Sequence, residues 1–193
     1  GRLQSLAETS YEFVHDLVTG QVGEEGKRFF PFVFTLFMFV LFGNLLGMLP
    51  YAFTFTSHIA VTFTLAAIVF VLITAVAISI HGTHFFSYFF PEGAPKALAP
   101  LIIPIEIISY LSRPVSLSVR LFANMVAGHV MLKVFATFVV LMGSAGAVGL
   151  LGAVAPLAVN VALVGFEFLV AFLQAYVFAI LTSIYLHDAV HLH

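Results

Sequence analysis

The chain has 193 residues, of which 62% are hydrophobic and only 8% are charged. Soluble domains carry about 25% charged residues, so this composition excludes an ordinary water-soluble fold and predicts an integral membrane protein. The formal net charge is −2 and cysteine is absent. These two facts give no indication of a nucleic-acid partner, and they exclude a disulfide framework and a thiolate metal site.

The first element in chain order is an amphipathic segment at residues 1–20. Val14 and Val18 lie on its apolar face, and Glu8 and Glu12 lie on the other. This spacing predicts a helix that lies on the membrane surface, although soluble helices show the same pattern.

Two membrane helices are predicted next. The interval between Arg28 and Glu92 contains no Asp, Glu, Lys or Arg. A hydrocarbon core of about 30 Å requires about 20 apolar residues per spanning helix. The interval therefore predicts helices at 29–50 and 58–80, joined by a short uncharged connection.

The C-terminal half predicts a long helical hairpin. Its first arm covers 101–142, where Pro114 separates a short apolar helix from a longer one, and its second arm covers 153–187. The glycine-rich stretch Gly143–Gly152 is the predicted turn. At ~1.5 Å per residue the second arm is longer than the bilayer core is thick, so we expect the hairpin to be strongly tilted. The chain 1–193 is thus predicted to be one all-α polytopic membrane domain.

Basic residues indicate the orientation. Lys27 and Arg28 precede the first span, Lys96 and Arg113 follow the second, and the connection between the spans has no basic residue. By the positive-inside rule, both flanks lie on the cytoplasmic side or its organellar equivalent.

Polar side chains inside the apolar helices are the candidate functional residues. Such residues are energetically costly in a membrane and usually face protein or a water-filled path. The candidates are Glu106, Arg120, Asn124, His129, Asn160, Glu167, Gln174 and Asp188.

Helical geometry arranges these candidates on faces. At ~100° per residue, Arg120 and Asn124 share a face, whereas His129 points to the opposite side of the same helix. The last polar residues are separated by multiples of seven; they are Asn160, Glu167, Gln174 and, just past the arm, Asp188. Each seven-residue step drifts by only ~20°, so these four side chains form one stripe.

An antiparallel hairpin that turns near 147–148 fixes which residues face each other. The register predicts three facing pairs: His129 with Glu167, Arg120 with Gln174, and Glu106 with Asp188. An acid pair, a cation among amides and a His–Glu pair then follow one another along the hairpin. A proton path that is interrupted by a fixed positive charge requires this order.

Structural explanations remain open for several of these residues. Arg120 could reach a membrane interface, His129 could be a hydrogen-bonded packing residue, and the amides could join helices. His187 and His191 have the spacing of a metal-binding pair, but we interpret them as part of an exposed tail. We predict no metal and no cofactor.

A recognisable segment lies at Ser112–His129 and reads SRPVSLSVRLFANMVAGH. It resembles the signature of the ATP synthase subunit a family, whose invariant feature is an arginine in the pattern LxxRLxxNxxAGH. Arg120 and Asn124 occupy the matching positions. Two further segments resemble the family's last helix and the end of an earlier span; they are FEFLVAFLQAYVFAILTSIYLHDA and NLLGMLPY.

The resemblance implies a stator beside a rotating ring of small subunits (the c-ring), each with one buried carboxylate. Protons would pass through two offset half-channels to and from that ring, and their flow would drive ATP synthesis. By this resemblance His129, Glu167 and Asn160 line the uptake side. Glu106 and Asp188 line the release side, and Arg120, near Asn124 and Gln174, separates the two.

The same resemblance implies that the chain has no catalytic chemistry of its own. Its implied partners are the c-ring, peripheral-stalk b-type subunits, the catalytic head and membrane lipid. The implied location is the bacterial inner membrane or, alternatively, the mitochondrial inner membrane. Because the family has another membrane helix before the amphipathic one, we expect residues to precede Gly1 in the full protein.

Some bacterial members of the family place an acid at the position of His129 and a histidine at that of Glu167, which supports the facing of these two residues. Two other classes of membrane protein are alternatives. A self-contained transporter or channel would usually show internal repeats, and none is visible in the sequence. A haem-binding subunit would need histidines on facing helices, for which only His129 and His58 are candidates.

Overall fold

The computed structural model describes residues 1–49, 54–89 and 98–191, and within these ranges the chain is helical, without strands. The α-helices are Arg2–Val22 (α1), Phe30–Gly47 (α2), Ile59–His81 (α3), Ala99–Gly143 (α4) and Ala147–Val190 (α5). Short 3₁₀ segments lie at Glu24–Arg28, Phe55–Ser57 and Gly82–Phe89. Helices α2 to α5 are each long and apolar enough to cross a membrane, which confirms the predicted all-α polytopic fold. Residues outside the described ranges that entered the sequence predictions are Pro50, Tyr51, Glu92 and Lys96.

Helix α1 is amphipathic as predicted, but its apolar face is used unevenly. Val14, Val18 and Val22 are buried against α2 and α5. Leu3 and Leu6, nearer the start of the helix, are 85% and 65% exposed. The second half of α1 therefore belongs to the core of this chain, and its first half presents apolar side chains outward.

The core is built from buried side chains of all five α-helices. Val33 and Phe37 of α2, Ile73 of α3, Leu117 of α4 and Phe178 of α5 are among its buried side chains. A buried apolar cluster of this kind fixes how the two shorter helices lie against the hairpin. This packing places the end of α2 beside the hairpin.

Helix α4 differs from the prediction because it continues through both of its internal prolines, Pro104 and Pro114. Proline removes one backbone donor from a helix. In membrane helices such interruptions are tolerated, because neighbouring groups satisfy the freed carbonyl. Pro114 therefore does not divide this arm of the hairpin.

The hairpin turn is also shorter than the predicted Gly143–Gly152. Helix α4 ends at Gly143 and α5 begins at Ala147. Gly146 has a φ of 90°, a left-handed conformation that glycine adopts without strain. Beyond it the chain returns to a helix, which satisfies every backbone polar group in apolar surroundings.

Candidate functional site

His129 and Glu167 form the centre of a polar seam between α4 and α5. The His129 Nδ1 atom lies 3.3 Å from Glu167 Oε1, and the glutamate side chain is only 7% exposed. This contact confirms the predicted facing of the two residues. A buried acid next to an imidazole gives two groups that can exchange one proton.

The residue before the histidine makes room for this acid. A Cβ atom added at Gly128 would lie 2.6 Å from Glu167 Oε1, which is closer than any ordinary contact. Glycine at this position therefore lets the carboxylate lie directly against the α4 backbone. Gly128 belongs to the AGH pattern, but no function was predicted for it from the sequence.

His129 also joins the hairpin to the end of α2. Its Nδ1 atom lies 2.8 Å from the carbonyl oxygen of Met125, and its Nε2 atom lies 3.2 Å from that of Gly47, the last residue of α2. The Nε2 atom is also 3.2 Å from Thr54 Oγ1. Thr54 was not among the predicted site residues, because nothing in its local sequence connects it to a histidine 75 positions away.

An amide pair lies one to two turns further along the seam. Asn124 Nδ2 donates a hydrogen bond of 3.3 Å to Gln174 Oε1, and Gln174 is buried. The register predicted Arg120 opposite Gln174, so the actual facing residue is displaced by one helical turn. Nearby, the fully buried Asn44 of α2 donates to the carbonyl oxygen of Ala171 at 3.3 Å.

Arg120 is exposed on the outer face of α4. No hydrogen bond or ion pair joins it to any other residue in the described part of the chain. His129, by contrast, is turned inward toward α5 and the end of α2. This arrangement agrees with the half-turn offset that was predicted for the two residues.

Asp188 is paired with a cation, and the predicted acid pair does not form. Arg113 Nη2 lies 3.2 Å from Asp188 Oδ2, and the guanidinium also lies over the rings of Tyr185 and Tyr110, at 4.9 and 5.5 Å. Glu106 is seven residues before Arg113, or ~10 Å along the helix. The prediction that Glu106 faces Asp188 was therefore wrong.

The register error has a physical cause. Residues at equal distances from the turn face each other only if both helices are straight, their axes are parallel and their side chains are equally long. The observed facing residue on α4 coincides with the predicted one at Glu167, is one turn away from it at Gln174, and is about two turns away at Asp188. The deviation therefore grows toward the part of α4 that contains Pro114, where the long side chain of Arg113 also extends the reach.

A cavity of about 200 Å³ opens beside Glu167, and Asn124, Gly128 and Leu163 are among its lining residues. This volume exceeds the space of ~10–15 Å³ that one water molecule needs. Glu167 Oε2, Gln174 Nε2 and Asn160 Oδ1 are buried and have no hydrogen-bond partner among the described residues. Buried polar atoms of this kind are usually satisfied by water, so the seam is suited to hold water.

Comparison with known proteins identifies the family. The family model described as ATP synthase A chain matches residues 1–187. The chain belongs to this family. It is 72% identical to the ATP synthase subunit a of Granulibacter bethesdensis over 194 residues, which cover 100% of this chain and 77% of the relative. It is 63% identical to that of Acidiphilium cryptum, with the same coverage, and 58% identical to that of Rhodospirillum rubrum over 193 residues, which cover 100% of the chain and 78% of the relative.

Membership of the ATP synthase A chain family settles the broad role of the protein. It is a non-catalytic subunit of the proton-translocating membrane sector of ATP synthase. Its alphaproteobacterial relatives and its apolar helices indicate an integral protein of the bacterial inner membrane. Within the described ranges no group of three His, Cys, Asp or Glu residues could hold a metal ion. The prediction that His187 belongs to an exposed tail was wrong, because it lies half-buried in the last turn of α5, where it stacks on His191 with ring centres 4.7 Å apart.

Proposed function

We propose that the chain moves protons through two offset half-channels to and from the carboxylates of a c-ring, and thereby couples proton flow to ATP synthesis. The observation that carries this proposal is Arg120, a cation that is exposed on an apolar helix face. The His–Glu pair on the opposite side of the same helix supplies a separate route for protons to approach that face.

The exposure of Arg120 calls for a counter-charge that the described residues do not supply. Valine side chains close to it on α4 are themselves about half exposed, Val115 at 49% and Val119 at 46%. A charge at the centre of a bilayer costs at least ~2.5–3.5 kcal/mol unless it is paired. A carboxylate on the ring surface would supply this partner and be held in its ionised form.

Arg120 would also prevent a direct leak between the half-channels. A guanidinium stays protonated in proteins and does not release its proton. Protons would therefore not pass Arg120 itself but would have to travel on ring carboxylates, which must be protonated before they face lipid. Rotation of the ring then accompanies net proton flow.

On the uptake side, we assign His129 and Glu167 as the proton-exchanging pair. The cavity beside Glu167 leads past Asn124, and Asn160 lies two turns along α5 from Glu167. The buried amides of Asn124 and Gln174 would orient water molecules near the level of Arg120. These positions make a polar path that begins on the predicted periplasmic half of the hairpin.

On the release side, Glu106 and Asp188 would act in succession, not as a pair. Asp188 is held by Arg113 near the predicted cytoplasmic end. Glu106 is half-buried about two turns further along α4. Protons that leave the ring would pass these acids on the side of Arg120 away from His129.

The uptake assignment is tested with His129→Ala, Glu167→Ala and the double exchange His129→Glu/Glu167→His. ATP-driven proton pumping and passive proton conduction are measured in membrane vesicles. Both single variants should be slow, and the exchange should recover part of the rate because one acid and one imidazole remain in contact. Lys133→Ala serves as the control, because Lys133 is an exposed charge on α4. Near-normal rates in both single variants would overturn the assignment.

The ring-facing position of Arg120 is tested by disulfide formation. The chain has no natural cysteine, so Ser116→Cys and Ala127→Cys introduce single thiols on the Arg120 face while Arg120 is retained. Each should form a disulfide with a cysteine placed next to the ring carboxylate. Ile68→Cys, 54% exposed on α3, is the control and should not. Disulfides formed by the control and not by the two α4 variants would contradict the proposal.

A further inference from the structure

We propose that Thr54 is a positioning residue that holds the imidazole ring of His129 in place, so that Nδ1 stays beside Glu167 and can exchange a proton with it. This inference rests on the proposed function of the His129–Glu167 pair and adds a residue from a different part of the chain. Thr54 lies just before the 3₁₀ segment Phe55–Ser57 and is 7% exposed.

The direction of the hydrogen bonds follows from the donors that are available. Thr54 Oγ1 lies 2.7 Å from the carbonyl oxygen of Gly47 and donates its single hydrogen to it. The hydroxyl oxygen is then left with lone pairs only, and these face His129 Nε2 at 3.2 Å. The Gly47 carbonyl oxygen, also 3.2 Å from Nε2, can likewise only accept. Both groups can accept a hydrogen from Nε2, as the Met125 carbonyl oxygen can from Nδ1 at 2.8 Å, so the ring is held at both nitrogens.

The end of α2 strengthens this arrangement. Gly47 is the last residue of α2, so its carbonyl oxygen is one of those that lack a partner within the helix. The C-terminus of a helix also carries a partial negative charge, which favours an N–H group pointing at it. A Cβ atom at Gly47 would collide with the Thr54 side chain. Glycine thus allows the threonine to lie against the helix end.

The opposite ring nitrogen is the one that remains for proton exchange. Nδ1 faces Glu167 Oε1 at 3.3 Å and the Met125 carbonyl oxygen at 2.8 Å. A proton that moves from the Glu167 carboxyl group to Nδ1 leaves a carboxylate and an imidazolium, and the reverse step restores both neutral groups. Met125 provides a second acceptor for the hydrogen while it is on Nδ1.

Glu167 is the only ionisable side chain that contacts the ring among the described residues. Helix α2 presents a carbonyl oxygen, and the segment that follows presents the hydroxyl of Thr54. Without the hydroxyl, Nε2 keeps only the Gly47 carbonyl oxygen as a partner, and the ring is held less firmly beside Glu167.

The experiment compares Thr54→Val with Thr54→Ser in the assembled complex. ATP-driven proton pumping is measured in vesicles between pH 6 and pH 9. Thr54→Val has nearly the same shape without the hydroxyl, and it should slow pumping by about three- to tenfold, the size expected for losing one hydrogen bond. It should also move the pH profile, which a purely structural defect would not do. Thr54→Ser should recover most of the rate and the original profile.

Thr56→Val is the matched control. Thr56 lies two residues further along the chain and is also buried, at 1% exposed, but its hydroxyl has no hydrogen-bond partner among the described residues, so pumping should be unchanged. Thr54→Ala removes the hydroxyl without adding bulk, and it replaces Thr54→Val if that variant fails to assemble. In a Glu167→Gln background, loss of the Thr54 hydroxyl should have no further effect, because the exchange partner is already gone.

The outcomes separate this inference from the proposed function. Slow His129→Ala and Glu167→Ala variants, together with normal pumping in Thr54→Val, would overturn the role of Thr54 and leave the pair in place. A Thr54→Val defect with an unmoved pH profile, or an equal defect in the Glu167→Gln background, would show that Thr54 acts only in packing. Normal pumping in both pair variants would instead overturn the proposed function itself.

Discussion

Replacing Gly128 by alanine tests whether the carboxylate of Glu167 must keep its present position. The added Cβ atom would lie 2.6 Å from Glu167 Oε1 and 3.0 Å from Cδ, whereas ordinary contacts begin at 3.4 Å. The carboxylate therefore has to move by about 0.8 Å, the difference between the first and last of these distances. Movement directly away from α4 would lengthen its distance to His129 Nδ1 from 3.3 Å to about 4 Å, the limit of a direct ion-pair contact.

The expected effect is a loss of function without a loss of structure. Alanine in a helix interior is favoured over glycine by ~0.5–1 kcal/mol, so the helix itself should not be weakened. A misplacement of ~1 Å at a reacting centre can cost ~100-fold in rate. Because a water molecule can bridge part of the enlarged gap, we expect proton pumping to fall by about tenfold.

The assay is ATP-driven proton pumping in vesicles that contain equal amounts of assembled complex. Gly20→Ala is the control, because a Cβ atom at that helical glycine meets nothing within 4 Å. Adding Glu167→Asp to Gly128→Ala shortens the acid, relieves the collision and should restore part of the rate. Near-normal pumping in Gly128→Ala, or no recovery in the double variant, would refute the reasoning.

Three further expectations concern the rest of the hairpin. Arg113→Gln should lower the melting temperature of the purified complex more than Arg113→Lys, because lysine keeps the charge next to Asp188; equal melting temperatures would contradict this. Asn124→Leu should destabilise the complex by ~1–3 kcal/mol, since it leaves the Gln174 amide buried without a partner. The double variant with Gln174→Leu should cost less than the sum of the single changes. At ~1.5 Å per residue, α4 and α5 are each ~65 Å long, about twice the hydrocarbon thickness. Both should therefore be inclined by more than ~30° to the membrane normal in an electron-microscopy structure of the complex, and smaller tilts for both would contradict the expectation.

The two shorter membrane helices could be predicted almost completely from sequence. Helices α2 and α3 differ from the predicted 29–50 and 58–80 by a few residues at most, because a long uncharged apolar run has one favourable structure in a bilayer. The hairpin turn was harder to predict. Gly149 and Gly152 suggested a loop, but apolar surroundings favour a continuous helix over exposed backbone groups.

The site was predictable where helical periodicity and proximity to the turn determine it. His129 and Glu167 lie close enough to the turn for a simple register to hold. Errors of register accumulate with distance from the turn, so Asp188 was assigned the wrong neighbour. Thr54 could not be found in this way, because its contact with His129 depends on where α2 ends, a tertiary feature without a local sequence signal.

The two arginines of α4 show why packing alone does not account for the polar residues of the hairpin. Arg113 and Arg120 lie seven residues apart on one helix and thus on nearly the same face. Arg113 is paired with Asp188 and lies over two tyrosine rings, so this chain satisfies that cation by itself. Arg120 is exposed and has no such partner within the described residues. If cations in this helix served only to join α4 to α5, both should be paired in the same way. The difference supports the proposal that the counter-charge of Arg120 comes from another subunit, which would complete the polar site in the assembled complex.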